Sequence, residues 1–188
     1  MSRGLGDVYK RQGLKGYPWS LVTRIFSCRL FQKPLNYADY FFAEDYYLLV
    51  QLYTRVCRDI SDIQQVLYYS EPSVNSLTRS VFDERRLTGI YAAENVLKNY
   101  CGSKKEKKCM QAILIISILN ITEWFYQYNR PVFEKNQELL RKTFRKYGTG
   151  DILSYMGWRG KIKFALYAIS PQLFLYVKSC HKKVKKKS

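Results

Sequence analysis

Two adjacent carboxylates, Glu44 and Asp45, end an aromatic run in the segment Tyr40-Phe41-Phe42-Ala43-Glu44-Asp45-Tyr46-Tyr47. An aspartate against apolar walls can have its pKa raised, which suits a general base working near neutral pH. A hydroxyl is a poor nucleophile until its proton is removed, so such a base serves group transfer to a hydroxyl. A structural reading of the same pair is equally simple. Carboxylates in the first turn of a helix meet the positive end of its macrodipole. Other site chemistry is sparse. Cys28, Cys57, Cys101, Cys109 and Cys180 contain no C-x-x-C pair, and the lone His181 lies in a lysine tail, so no zinc set can be assembled. An odd set of thiols with no framework fits a reducing compartment. No Asp-x-Asp motif is present, and Asp59 and Asp62 are spaced one residue too far apart for one.

The elements that must position the pair follow from periodicity. Leu48, Leu49, Leu52, Tyr53 and Val56 recur at three- and four-residue steps, predicting a helix from about Ala43–Asp45 to Ile60. Ile63 to Tyr69 is rich in β-branched and aromatic residues and reads as a short strand. The polar run from Pro72 to Ser76 is its loop. Beyond Ser80 the pattern is helical throughout. Asp83 is a candidate N-cap for a helix to about Tyr100, although Glu94 interrupts its apolar stripe and Gly89 weakens it. Gly102 to Lys108 reads as a charged turn. A long helix follows to about Tyr128, Pro131 separates it from another that ends before Gly148, and Gly148-Thr149-Gly150 is a break. Two amphipathic segments, 158–169 and 171–184, complete the chain. The apolar stretch Met110–Phe125 is interrupted by Gln111, Asn120 and Glu123 and falls short of the roughly 20 residues a spanning helix requires, so it reads as a buried helix.

Composition sets the outer limits. The 188 residues are 47% hydrophobic and 25% charged, with 17 Tyr and 10 Phe, enough to build a core. A formal net charge of +17 calls for a partner or location that tolerates positive charge, with nucleic acid and an anionic membrane as the usual candidates. The N-terminus has no continuous apolar run of the kind a signal peptide needs. Residues 1–12, MSRGLGDVYKRQ, stand apart, because Asp7–Gln12 looks like a translation of the transposon end sequence used to prepare sequencing libraries. The expectation is therefore an adapter scar at 1–12 and a native frame continuing upstream of Gly13.

Several short motifs occur in a characteristic order. Phe42-Ala43-Glu44-Asp45-Tyr46-Tyr47-Leu48 is followed by the expected helix, then Val66-Leu67-Tyr68-Tyr69, then Asn75-Ser76-Leu77-Thr78-Arg79-Ser80. Upstream lie Arg24-Ile25-Phe26 and Leu30-Phe31. From about Val22 to Asp83 this order resembles the bacterial family 2 glycosyltransferases. Val22 and Thr23 stand where that family usually has a large residue, and Ser70 stands where it often has Arg. The resemblance implies an α/β fragment: the edge of a GT-A, Rossmann-like domain over 13–80, a mostly α-helical extension over 81–157, and a basic tail over 158–188. It implies that Asp45 is the catalytic base, with Glu44, Arg24 and Tyr69 at the substrate. Tyr68 and Tyr69 can equally be packed aromatics. It also implies a nucleotide-diphosphate sugar as donor, a saccharide or lipid-linked acceptor, and Mg²⁺ or Mn²⁺ held mainly by a part absent from this chain. The fragment would then be inactive alone, its full-length parent acting in cell-surface polysaccharide synthesis.

The tail allows a different use. Trp158, Phe164, Leu166, Tyr167, Leu173, Phe174 and Tyr176 share 158–188 with Lys178, Lys182, Lys183, Lys185, Lys186 and Lys187. Rings on one side and lysines on the other suit a helix in a membrane interface, which would place the protein in the cytoplasm on the inner face of the cell membrane. A solvated charged tail is the simpler reading. The competing function is a non-enzymatic basic helical module that binds a membrane surface or nucleic acid, although no motif that reads RNA or DNA is visible.

Overall fold

The computed structural model describes residues 26–55 and 82–185. Among them every regular element is a helix: α1 (Glu44–Thr54), α2 (Thr88–Asn99), α3 (Lys104–Tyr128), α4 (Arg130–Tyr147), α5 (Trp158–Ile169) and α6 (Pro171–Lys185). Short 3-10 turns cover Cys28–Phe31, Glu84–Leu87 and Gly150–Tyr155. This overturns the α/β expectation, since the described residues contain no strand and form an all-helical fold. The expected strand at 63–69 and the motif at 75–80 lie outside the described residues. What is described of 13–80 is a helix and an irregular segment. The carbonyls of that segment are met by side chains of α1 rather than by a neighbouring strand.

The centre of the fold is α3. Met110, Leu114, Ile115, Ile118, Leu119, Ile121 and Phe125 are all essentially inaccessible, because α2, α4, α5 and α6 pack around them. Full burial of a Leu, Ile or Phe side chain stabilises by roughly 1.5–3 kcal/mol, so this stripe is the largest single source of cohesion. By length and composition α3 could cross a membrane, and 61% of its most apolar stretch is buried by the rest of the fold. α1 buries Tyr46, Leu49, Val50 and Tyr53, and packs on α2.

The start of α3 corrects the charged turn expected at 102–108. Lys104, Lys105, Lys107 and Lys108 crowd the positive end of a helix dipole, an unfavourable arrangement. A reciprocal cap outweighs it. Ser103 Oγ accepts from the Glu106 N–H at 3.3 Å, and Glu106 Oε2 accepts from the Ser103 N–H at 2.8 Å. Lys108 is further neutralised by Asp151, 2.6 Å away. At the other end, the Asn129 side chain accepts from Val132 N–H and Pro131 sits in the first turn of α4, where its missing N–H costs no intrahelical bond, so the break between the two helices falls where expected. Glu94, which breaks the stripe of α2, reaches across to Lys146 of α4 at 3.5 Å.

Candidate functional site

The acidic pair opens α1 after an unusual approach. Ala43 takes a left-handed conformation, φ 67°, the only positive φ at a non-glycine residue among those described. Such a conformation costs an L-residue about 1–2 kcal/mol, so the contacts on either side must hold it. On the upstream side, Phe42 N–H donates to Thr88 Oγ1 at 2.9 Å, and the Phe42 ring meets Trp124 edge-on at 6.3 Å. Gly89 permits this seat, since a Cβ there would lie 2.8 Å from Phe42 Cδ1. On the downstream side, Tyr46 is buried. Its burial, with Cys109 adding to the effect, pushes the phenol well above its ordinary pKa of 10.0 and keeps it neutral.

Beneath the entry lies Arg86, only 3% exposed. Its guanidinium lies over Phe82 at 4.5 Å, Trp124 at 4.7 Å and Phe42 at 5.2 Å. Burial draws this arginine below its ordinary pKa, with the charge of Asp83 opposing the shift. Arg85 stacks on Phe41 at 4.5 Å and is fixed by Asp83, whose carboxylate also caps the 3-10 turn at 84–87 through the Arg85 N–H. Two consecutive arginines thus grip two consecutive phenylalanines immediately upstream of Ala43.

The segment leading to the pair runs back along α1. Arg55, at the C-terminal end of α1, donates to the carbonyls of Leu30, Lys33 and Pro34 at 2.9, 2.5 and 2.7 Å. Gln51 exchanges bonds with the Asn36 N–H and C=O at 2.7 and 2.8 Å. Tyr47 packs edge-on against Tyr40, whose hydroxyl accepts from Asn95 Nδ2 at 2.8 Å. Side chains at this end of α1 thus satisfy the carbonyls of Leu30, Lys33, Pro34 and Asn36 and the Asn36 amide.

Of the residues expected at a site, Glu44 is exposed and Asp45 half-buried, side by side in the first turn of α1. Arg24 and Tyr69 lie outside the described residues. Among the described residues, no group of three or more His, Cys, Asp or Glu is placed to hold a metal ion. Cys28, Cys101 and Cys180 are exposed thiols and Cys109 is a buried one, while Cys57 is outside the described residues.

Two further polar groupings carry no sequence signature. Asp83, Glu84, Arg85, Pro131, Val132 and Lys135 line an open groove of about 480 Å³, in which Glu84 holds Asn136 at 2.9 Å and Lys135 at 2.9 Å. On the other side of α3, Glu123 is shared by Lys163 of α5 at 3.3 Å and Lys178 of α6 at 3.0 Å. Lys163 also donates to Asn120 Oδ1 at 2.9 Å. Each of these groups joins elements that are distant along the chain, so spacing could not reveal them. Arg86 is hidden for another reason, since charge alone assigns an arginine to the surface.

No protein-family model, curated protein sequence or solved structure matches this chain.

Proposed function

We propose that this chain supplies the acceptor-side acid–base group of a glycosyltransferase of the family 2 type. The observation that carries the reading is the placement of Glu44 and Asp45 at the first turn of α1, after an entry gripped by Phe41, Phe42, Arg85 and Arg86. It joins the order of short motifs around that pair in the sequence. The reading rests on the pair and its approach and draws on no sheet among the described residues.

In this scheme Asp45 takes the proton of an acceptor hydroxyl as its oxygen attacks the anomeric carbon. The bond from that carbon to the nucleotide diphosphate breaks, and the diphosphate leaves with the electron pair. Glu44, more exposed, holds neighbouring acceptor hydroxyls. The donor sugar and its Mg²⁺ or Mn²⁺ are bound by another part of the enzyme, with Arg24 and Tyr69 contributing substrate contacts. A rigid approach matters because a base works only within hydrogen-bond reach of the proton it removes.

The test begins with the gene. Reading the locus across the Gln12–Gly13 junction shows whether a longer frame exists. If it does, its product is the enzyme for a transfer assay with labelled nucleotide-diphosphate sugars; a gene that starts at Met1 with no donor site removes the proposal. Asp45→Asn should lower kcat by roughly 10²–10⁴-fold with an unchanged donor KM and unchanged circular dichroism. Undiminished transfer by that variant would remove Asp45 from the mechanism.

A further inference from the structure

The last two helices present apolar side chains to both sides. Their inner faces are accounted for: Phe164 and Tyr167 of α5 pack against Phe144, and Phe174 of α6 packs against Tyr167. Lys163 and Lys178 turn toward Glu123 of α3. On the opposite side of α5, Trp158, Ile162 and Ile169 follow each other at helical spacing and are 67%, 51% and 75% exposed. On α6, Leu173, Tyr176 and Val177 are likewise exposed, Tyr176 by 66%. Among the described residues these six side chains are left exposed. Bordering it on α5 are the exposed Arg159 and Lys161, and the sequence adds five lysines between 182 and 187.

We propose that the outer face of the α5–α6 hairpin docks on an anionic lipid bilayer. Charge selects this occupant over the others. A second copy of the chain would bring a second +17, so pairing two such faces sets like charges against each other. Nucleic acid would use the lysines but leave Ile162, Ile169 and Leu173 without a function, because phosphate contacts are polar. A bilayer surface uses both. Apolar side chains enter the headgroup–acyl boundary, Trp158 and Tyr176 take the interfacial level that amphipathic rings prefer, and cations meet the anionic headgroups. The inner lysines are held by Glu123, so the hairpin reaches the membrane as part of the folded protein. This inference stands apart from the glycosyltransferase reading, since docking requires neither a donor nor an acceptor.

The experiment is flotation of the full 188-residue chain with vesicles of phosphatidylcholine, with and without phosphatidylserine, alongside Trp158 emission taken as the difference between wild type and Trp158→Phe. The chain should float with the anionic vesicles and not the neutral ones, and the Trp158 difference spectrum should shift to the blue. The triple variant Ile162→Ser/Ile169→Ser/Tyr176→Ser should bind about tenfold more weakly or worse. Arg159→Glu with Lys161→Glu should weaken binding by about 30-fold or more, since each basic residue at an anionic surface adds about a fivefold factor. All five positions are exposed, so unchanged circular dichroism is the control for folding. Full binding by the triple variant, or no binding to anionic vesicles, overturns the proposal. So does a wild-type dimer that the triple variant dissociates, or a chain that shifts DNA in a gel while ignoring vesicles.

Discussion

Glu123 and the two lysines it serves allow a prediction with a sign that depends on which charge is removed. The three side chains are 16–27% exposed, so solvent screens them only in part. Near 3 Å, each attraction is worth about 5 kcal/mol at an effective dielectric of 20. Desolvating three charges offsets most of that. One carboxylate between two cations is the overcompensated member. Burial pushes the Glu123 carboxyl up, but the hydrogen bond from Lys178 and the charges of Lys163 and Lys178 hold it below its ordinary 4.5. Lys163 is on the losing side. Its burial lowers it below 10.5, with Glu123 opposing the shift and the Lys178 charge adding to it. Glu123→Gln therefore strands two cations and should cost roughly 2–3 kcal/mol. Lys163→Met keeps an apolar stem, leaves the Glu123–Lys178 pair, and should cost about 1 kcal/mol or less. Followed by circular dichroism at pH 7, these losses correspond to drops in Tm of about 5–10 °C and under 4 °C for a chain of this length. The folded pKa of Glu123 is depressed, so its contribution is complete above 4.5 and disappears as pH falls through the folded value. Wild type and Glu123→Gln should converge in acid. A Lys163→Met variant less stable than Glu123→Gln, or a gap between wild type and Glu123→Gln that persists in acid, would refute the reasoning.

Three other outcomes follow from single contacts. Gly89→Ala places a Cβ 2.8 Å from the Phe42 ring, so a cost of about 1–3 kcal/mol from overpacking should exceed the gain of up to 1 kcal/mol in helix propensity. Chemical denaturation measures the net, and a stabilised variant would show that Phe42 yields freely. Ser103→Ala removes one half of the reciprocal cap beneath four lysines and should cost about 1 kcal/mol by the same method. Arg86→Ala empties a site bounded by three rings and should cost roughly 3–5 kcal/mol, while Arg86→Met, which refills it, should recover most of the loss. Equal losses in both would assign the stability to charge rather than to volume.

What the sequence discloses and conceals has a physical pattern here. Periodicity finds helices that bury one stripe, so α5 begins and ends where 158–169 predicts, and Met110–Phe125 reads correctly as a buried helix. The cap at Asp83 is legible because its signal is local. Ser103-x-x-Glu106 is local too, but four lysines around it disguise a helix start as a turn. The helix from Glu44 is visible, whereas the clasp that delivers the chain to it is not. Arg55 and Gln51 meet partners 15 to 25 residues away through backbone atoms, and backbone atoms leave no mark on composition. The α/β expectation drew on the strand-like run at 63–69, which lies outside the described residues, and on the resemblance, whose short motifs fix residue order but not how 26–55 packs.

That clasp makes an irregular segment behave like an ordered one. Beyond the 3-10 turn at Cys28–Phe31, amides along 33–40 belong to no ladder or helix. Their neighbouring carbonyls are nevertheless tied to side chains of α1, so the segment opens only when α1 gives way. Its peptide bonds should therefore resist a protease about as long as the helix does. Cutting there would report unfolding of α1 rather than the wandering of a loop.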